Sequence, residues 1–392
     1  MPKSHTPGVP KLLRVLNDQA ALKLLLEEGP QTRAQLAERT SMSKVTASQM
    51  MERLQTRGLV EVVGSKSGGR GPNASLYAAV PTFTYVVGVE VGPVTTKGAC
   101  ADFTGRIVGR AEIDVEGSTD PVAVVRRVVT DSVADAGIEM SKVERIVIGT
   151  PGVIDPVSGE IGFSWNLPAW HRGLRTALNE EFAQVVEIEN DVNLATIAEQ
   201  RSGGAGGASE FVYAWFGGGL GLGVILNGRL YRGASGAAGE IGFLPVPGGE
   251  LPTGGVVTRL SKGSYQRVIG GDAVLDIGAK YGFDGNDPED IVAAALAAGE
   301  EGEACLDEIA RGIAFGIVAV CVLLDPTVVV LGGPVGYTGG LVLAGRVAAQ
   351  TAQLAPVTPS VVAGTVIDEP VMRGAILHSL DAVRESLFDQ GA

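Results

Sequence analysis

The sequence predicts an α/β protein in two unequal parts, a winged helix-turn-helix module over residues 1–80 followed by a duplicated, two-lobed α/β body. Three observations predict it. Residues 1–80 carry 11 Lys and Arg against 6 Asp and Glu while the remainder carries 20 against 38, so a basic head at +5 precedes an acidic body at −18. Within the head, three helical stretches are followed by two short strands. Within the body, one strand, glycine turn, strand pattern is used twice, which an internal duplication explains.

In the head, Leu12, Leu13, Val15, Leu16, Leu22, Leu25 and Leu26 recur at helical spacing from about Lys11 to Glu28, and Gly29-Pro30 stops the helix. Thr32 caps a short second helix ending at Arg39, with Gln35 three positions on. Ser43 caps a third, through about Arg57. With Ala47, Met50, Met51 and Leu54 on its buried face, Val45, Ser48 and Gln49 point outward, and Lys44, Thr46 and Arg53 flank them. Hydroxyl and amide groups suit base edges, and cations suit phosphates. Strands at Leu59–Val63 and Ser75–Ala79 are joined by a tip, Gly64 to Asn73, that carries Lys66 and Arg70 and no carboxylate. Such a tip suits a wing lying along the DNA backbone or entering a narrow minor groove. The expected DNA contacts are therefore Lys44, Val45, Thr46, Ser48, Gln49, Arg53, Lys66 and Arg70. A winged module used for protein contacts is the alternative.

Val80-Pro81-Thr82 marks the boundary with the body. The first repeat runs through Tyr85–Val91, a Gly92 turn, a strand to Asp102 and Thr104-Gly105-Arg106-Ile107-Val108. The second runs through Phe211–Trp215, the turn Gly217–Gly219, a strand to Leu226 and Asn227-Gly228-Arg229-Leu230-Tyr231. Further strands are expected at Val143–Ile148, Val185–Glu189 and Thr327–Leu331. The expected lobes are 83–202 and 203–392, with a last helix at 369–387 that packs either across the lobes or across a dimer. Ligand groups in such folds gather at the carboxyl ends of strands, facing a cleft.

Composition narrows the class. A chain with 45 % hydrophobic and 19 % charged residues buries substantial cores. Cys100, Cys305 and Cys321 form no Cys-x-x-Cys pair, which fits a reducing cytoplasm. The N-terminus lacks an apolar signal region. The longest apolar run, Gly312 to Leu324, is shorter than the roughly 20 residues that cross a bilayer, so no membrane partner is expected.

Five segments then stand out: Ile148-Gly149-Thr150-Pro151-Gly152-Val153-Ile154-Asp155, Asn166-Leu167-Pro168-Ala169-Trp170, Glu189-Asn190-Asp191-Val192-Asn193, Gly233 through Gly242, and Val330-Leu331-Gly332-Gly333. Together they resemble the signature blocks of the ROK family of repressors and sugar kinases, in the family's order over nearly the whole chain. The winged head resembles that of its repressor branch. The resemblance implies an actin/hexokinase-like, ribonuclease H-like duplicated fold with a sugar-shaped cleft. In kinase members the aspartate matching Asp191 takes the proton of the sugar hydroxyl, and the residues matching Asn166, Asn190 and Glu240 hold other hydroxyls. With Gly152 these are the effector-binding residues the resemblance implies. Planar amides and carboxylates fix a polyol by donating and accepting in pairs. Asp191 alternatively caps the helix it begins, and Trp165 and Trp170 either stack on a sugar ring or pack in the core.

Departures from the family pattern carry equal weight. Kinase members open with Asp-x-Gly-Gly-Thr, whereas this chain has Glu90-Val91-Gly92-Pro93-Val94-Thr95, and Pro93 has no N–H to offer a phosphate. The family's Gly-Thr-Gly is Gly217-Gly218-Gly219 here. Loss of kinase activity is expected, with Asp191 a vestigial base. The family's zinc-binding His and Cys loop is replaced by Phe243 and a cysteine-free Glu250–Ser264, and His5, His171 and His378 have no ligand spacing, so zinc and other cofactors are not expected. The sequence thus points to a DNA-binding transcriptional regulator, a repressor, whose partners are operator DNA and a sugar or sugar-phosphate effector. A homodimer, or a dimer of dimers, is expected because two recognition helices address half-sites one helical turn apart. The rivals are a sugar kinase that keeps a DNA-binding head and a regulator controlled by a protein partner.

Overall fold

A computed structural model describes residues 10–67, 73–115, 118, 120–163, 173–246, 263–356 and 359–389. The head consists of α1 (Pro10–Glu28), β1 (Gln31–Thr32), α2 (Arg33–Arg39), α3 (Lys44–Thr56), β2 (Val60–Lys66) and β3 (Ala74–Ala79). Local chemistry sets its helix starts. Thr32 Oγ1 accepts from the Gln35 N–H at 3.3 Å while Gln35 Oε1 accepts from the Thr32 N–H at 2.9 Å, a reciprocal cap. Ser43 Oγ accepts from the Thr46 N–H at 3.1 Å. Ala47, Met50, Met51 and Leu54 are fully buried against Ala21, Leu22, Leu25 and Leu36. β2 pairs antiparallel with β3, and β1 adds to the other edge of β3. β2 reaches Lys66, beyond the expected Val63, and β1 was not anticipated, since two residues are too short to show a period.

The body begins with β4 (Tyr85–Val91), β5 (Thr95–Asp102), β6 (Ile107–Asp114), α4 (Pro121–Asp135), β7 (Val143–Thr150), β8 (Val153–Ile154), β9 (Ile161–Phe163), α5 (Leu174–Glu181), β10 (Val185–Asn190) and α6 (Asp191–Ser202). It continues with β11 (Phe211–Phe216), β12 (Leu220–Leu226), β13 (Arg229–Leu230), α7 (Ser264–Ile269), α8 (Gly271–Lys280), α9 (Pro288–Ala297), α10 (Glu303–Leu324), β14 (Val328–Gly332), α11 (Gly333–Leu354), β15 (Ser360–Ala363) and α12 (Pro370–Asp389). Ten of these strands form two five-stranded sheets, ordered β10-β7-β4-β5-β6 and β13-β12-β11-β14-β15, and β8 pairs antiparallel with β9 apart from them. In each, the central strand, β4 or β11, pairs antiparallel with the hairpin that follows it and parallel with a later strand. One plan is therefore executed twice, which is the duplicated α/β fold.

Helix α12 packs on β4 and β7 and runs along α6. Its far end, through Leu380, Val383 and Phe388, shares a buried cluster with Met50, Met51 and Leu54 of the head. The last helix thus joins the first sheet to the head. Among the described residues no helix is long and apolar enough to cross a membrane. Cys100, Cys305 and Cys321 are buried free thiols.

Candidate DNA interface and effector cleft

On α3, Val45 is 68 % exposed, and Lys44 and Gln49 are exposed with it. Positions 45, 48 and 49 share one face at helical spacing. Ser48 Oγ accepts from Arg33 Nη1 at 3.2 Å, and the Arg33 guanidinium lies 5.0 Å from the centre of the Tyr77 ring, a stacking contact that fixes its plane. Arg33 therefore stands beside the outward face of α3, a position that sequence reasoning missed; its only signal was a further cation directly after the Thr32 cap. Thr46 Oγ1 lies 2.8 Å from Ser43 Oγ at the start of the helix. Arg53 is turned inward: its Nε and Nη2 hold the two carboxylate oxygens of Asp18 on α1 at 3.0 and 2.5 Å. Lys66 is exposed at the end of β2. Arg70 lies outside the described residues.

The cleft is organised where β10 passes into α6. Asn190, not Asp191, is the N-cap: its Oδ1 accepts from the Asn193 N–H at 3.0 Å while its Nδ2 donates to the Gly152 carbonyl at 3.0 Å. Gly152 adopts φ +127°, a backbone conformation open to glycine. Behind this junction Glu189, 3 % exposed, accepts from Asn193 Nδ2 at 2.9 Å and from Arg232 Nε at 2.5 Å, fixing the strand end. Both Glu189 and Arg232 were unforeseen as a pair. Asp191 Oδ1 accepts from the Val192 N–H at 2.9 Å. Glu240 enters from the second lobe on a tight turn. Gly239, at φ +98°, makes that turn feasible, because a Cβ there would stand 1.9 Å from the Leu222 carbonyl oxygen.

These carboxylates feel one another. Burial pushes Asp191 up to about 6. Burial, reinforced by the charge of Asp191, pushes Glu240 up to about 7. Glu90, at the end of β4, is also raised by burial, with Asp191 adding to the rise and Lys97 and the Met372 amide opposing it. The structure thus brings Gly152 to Asn190 and Asp191 to Glu240, and adds Glu90 to them. Asn166, Trp165 and Trp170 lie outside the described residues, as does most of Glu250–Ser264.

The two turns where kinase members hold phosphates are closed upon themselves. The Gly92 N–H donates to the Thr95 carbonyl at 2.9 Å. The Gly217 N–H donates to the Gly219 carbonyl at 3.2 Å. Gln266 then takes the rest of that turn, its Nε2 donating to the Gly218 carbonyl at 2.9 Å and its Oε1 accepting from the Leu220 N–H at 3.1 Å. In each turn one backbone N–H, that of Gly92 or of Gly217, is thus paired within the turn itself.

Residues 20–71 match the profile of the MarR family, and residues 86–380 that of the ROK family. The xylose repressor of Caldicellulosiruptor bescii is 24 % identical over 355 residues, which cover 85 % of this chain and 86 % of that protein. The glucokinase of Halalkalibacterium halodurans is 29 % identical over 282 residues, covering 66 % of this chain and 83 % of that enzyme. A solved ROK family transcriptional regulator, a homolog of the Escherichia coli MLC protein, superposes with a TM-score of 0.75 at 19 % identity, over 97 % of this chain and 98 % of that one, a likeness of fold. With the two-sheet plan, the β10–α6 junction and a profile match over most of its length, the chain belongs to the ROK family.

Proposed function

We propose that this chain is a DNA-binding transcriptional repressor whose ROK body senses a sugar and no longer phosphorylates it. One observation carries the reading: a winged head with a polar, exposed face on α3 is joined to a ROK body whose first hairpin turn pairs the Gly92 N–H internally and carries Pro93, which has no N–H to offer a phosphate. The match to a xylose repressor spans most of this chain, and supports the same reading.

In this reading the head extends to residue 80, the lobes are 83–202 and 203–392, and α3 enters the major groove. Ser48 and Gln49 meet base edges there, Val45 makes apolar contact, Thr46 braces the entry of the helix, and Lys44, Lys66 and Arg70 meet phosphates. Arg53 serves by holding α1 to α3. Two heads act together in a homodimer, in the cytoplasm where operator DNA lies. Gly152, Asn166, Asn190, Asp191 and Glu240 surround the effector. Carboxyls that titrate near neutrality both donate and accept, which suits a hydroxyl-rich ligand. The kinase reading has one observation in its favour: Asp191, raised to about 6, has the character of a general base, as the glucokinase relative would require.

The deciding experiment pairs gel shifts on promoter fragments, with and without a panel of pentoses and hexoses, with a coupled ATPase assay on the same sugars. Operator binding that a sugar changes, without ATP turnover, supports the repressor. Steady ATP consumption abolished by Asp191→Ala replaces it with the kinase.

A further inference from the structure

We propose that α6 and α12 act as one rigid unit carrying the state of the cleft to the recognition helix, tied to each other through Arg201–Asp381 and to the head through Arg57–Leu387. This rests on the reading of the cleft as the effector site. Both helices start there: α6 with Asp191 itself, and α12 with the turn around Met372, beside Glu90. Three glycines remove slack at that end. A Cβ on Gly88 of β4 would stand 2.8 Å from the Met372 carbonyl oxygen. One on Gly149 of β7 would stand 2.4 Å from Val371 and 2.7 Å from Leu194. One on Gly374 of α12 would stand 1.9 Å from the Leu194 carbonyl oxygen of α6. Sheet and helices therefore touch backbone to backbone, and close-packed elements transmit displacement instead of absorbing it.

The far end of α12 finishes at the head, and the end of α6 is bonded to α12. Arg201, in the last turn of α6, donates to Asp381 of α12. One turn on, Arg384 donates to the Phe103 carbonyl at 2.9 Å and lies over the Phe103 ring. Arg57, which ends α3, donates to the Leu387 carbonyl and lies 4.8 Å from the centre of the Phe388 ring. With a rise of about 1.5 Å per residue, α12 spans roughly 30 Å between cleft and recognition helix. Beside the junction a cavity of about 690 Å³, lined in part by Lys23 and Leu26 of α1 and by Arg201, Asp381 and Arg384, leaves room for the head to change its seat.

The test uses the full chain, its operator and D-xylose as probe. In Arg201→Ala and Arg57→Ala, operator affinity without sugar and the heat of D-xylose binding stay within about threefold of the parent, while the sugar-induced change in operator affinity, about tenfold in the parent, falls below about threefold. A full sugar response in both variants overturns the coupling. If D-xylose gives neither heat nor response in the parent, the sugar reading fails for that probe, and hydrogen exchange decides the coupling without ligand. Asp191→Asn then alters amide exchange at residues 54–58 by at least about threefold while α4 is unchanged, and Arg201→Ala abolishes that effect. No change at residues 54–58 overturns the proposal independently of any sugar.

Discussion

Arg53 holds Asp18 with two nitrogens, Nε to Oδ2 at 3.0 Å and Nη2 to Oδ1 at 2.5 Å, across 35 residues of sequence. The Asp18 side chain is 8 % exposed and that of Arg53 35 %. The pair also raises the Arg53 pKa, chiefly through the hydrogen bond to Asp18. It braces α1 against α3, so its value is structural. Removing one partner strands the other charge in a partly dry place. Asp18→Ala is expected to cost about 2 kcal/mol, discounted for the solvent reaching Arg53, read by urea unfolding. Arg53→Ala should lose similar stability while leaving the salt dependence of DNA binding intact. A reduced salt slope with unchanged stability would place Arg53 on phosphate instead.

On the proposed DNA face, Gln49 is exposed and its amide makes no hydrogen bond among the described residues, whereas Arg33 is fixed by Ser48 and Tyr77. Gln49→Ala should therefore change preference among operator sequences more than it changes affinity for random DNA. Arg33→Ala and Arg70→Ala should instead weaken both alike and lower the salt slope by about 1 each, as the loss of one phosphate contact does. Binding isotherms on operator and random duplexes across a salt series separate the two behaviours; equal losses for Gln49→Ala on both duplexes would remove it from base readout.

What the sequence revealed was whatever is local or repeated. The Thr32–Gln35 cap and the Ser43 cap were legible because donor and acceptor are three residues apart. The two sheets were legible because each hairpin repeats the same glycine-turn pattern around β4 and β11. Partners distant in sequence were not: nothing near Arg53 announces Asp18, nothing near Glu189 announces Arg232, and Gln266 bears no sign that it will close the Gly217–Gly219 turn. Asn190 and Asp191 are adjacent and each can cap a helix. Only the angle at which β10 enters α6 assigns the cap to Asn190.

The cleft carboxyls give a pH signature. Asp191 rises from 3.8 to about 6 and Glu240 from 4.5 to about 7. A carboxyl whose folded value lies above its unfolded value binds its proton more tightly in the native state. Its stabilising contribution is complete below the unfolded value and is lost as pH climbs through the folded one. Unfolding free energy should therefore fall by roughly 2 kcal/mol between pH 4.5 and 7.5. Glu90, also raised by burial, adds to the fall, whereas Glu160, Glu187 and Glu308, whose values are lowered, act below their ordinary 4.5. Urea titrations at a series of pH values should show the decline, and Asp191→Asn/Glu240→Gln should remove most of it. A parent protein equally stable across the window would refute the shared burial of the two groups.

Glu199 offers the sharpest single-residue test of how the end of α6 is tied to the segment entering α12. It is fully buried, and its carboxylate accepts from the backbone N–H groups of Gly204 at 2.7 Å and of Thr365 and Val366 at 2.8 Å each. Three donors converge on one anion, so the site is built for charge and for acceptors alone. Glu199→Gln keeps the size but turns an NH₂ toward those donors, leaving at least one buried N–H unpaired. The expected cost is about 3 kcal/mol. Glu199→Asp retains the charge but withdraws it by one methylene from the Gly204, Thr365 and Val366 amides, and should not restore stability. Urea unfolding of both variants checks the pair, and a Gln variant as stable as the parent would mean that water, not the carboxylate, satisfies those amides.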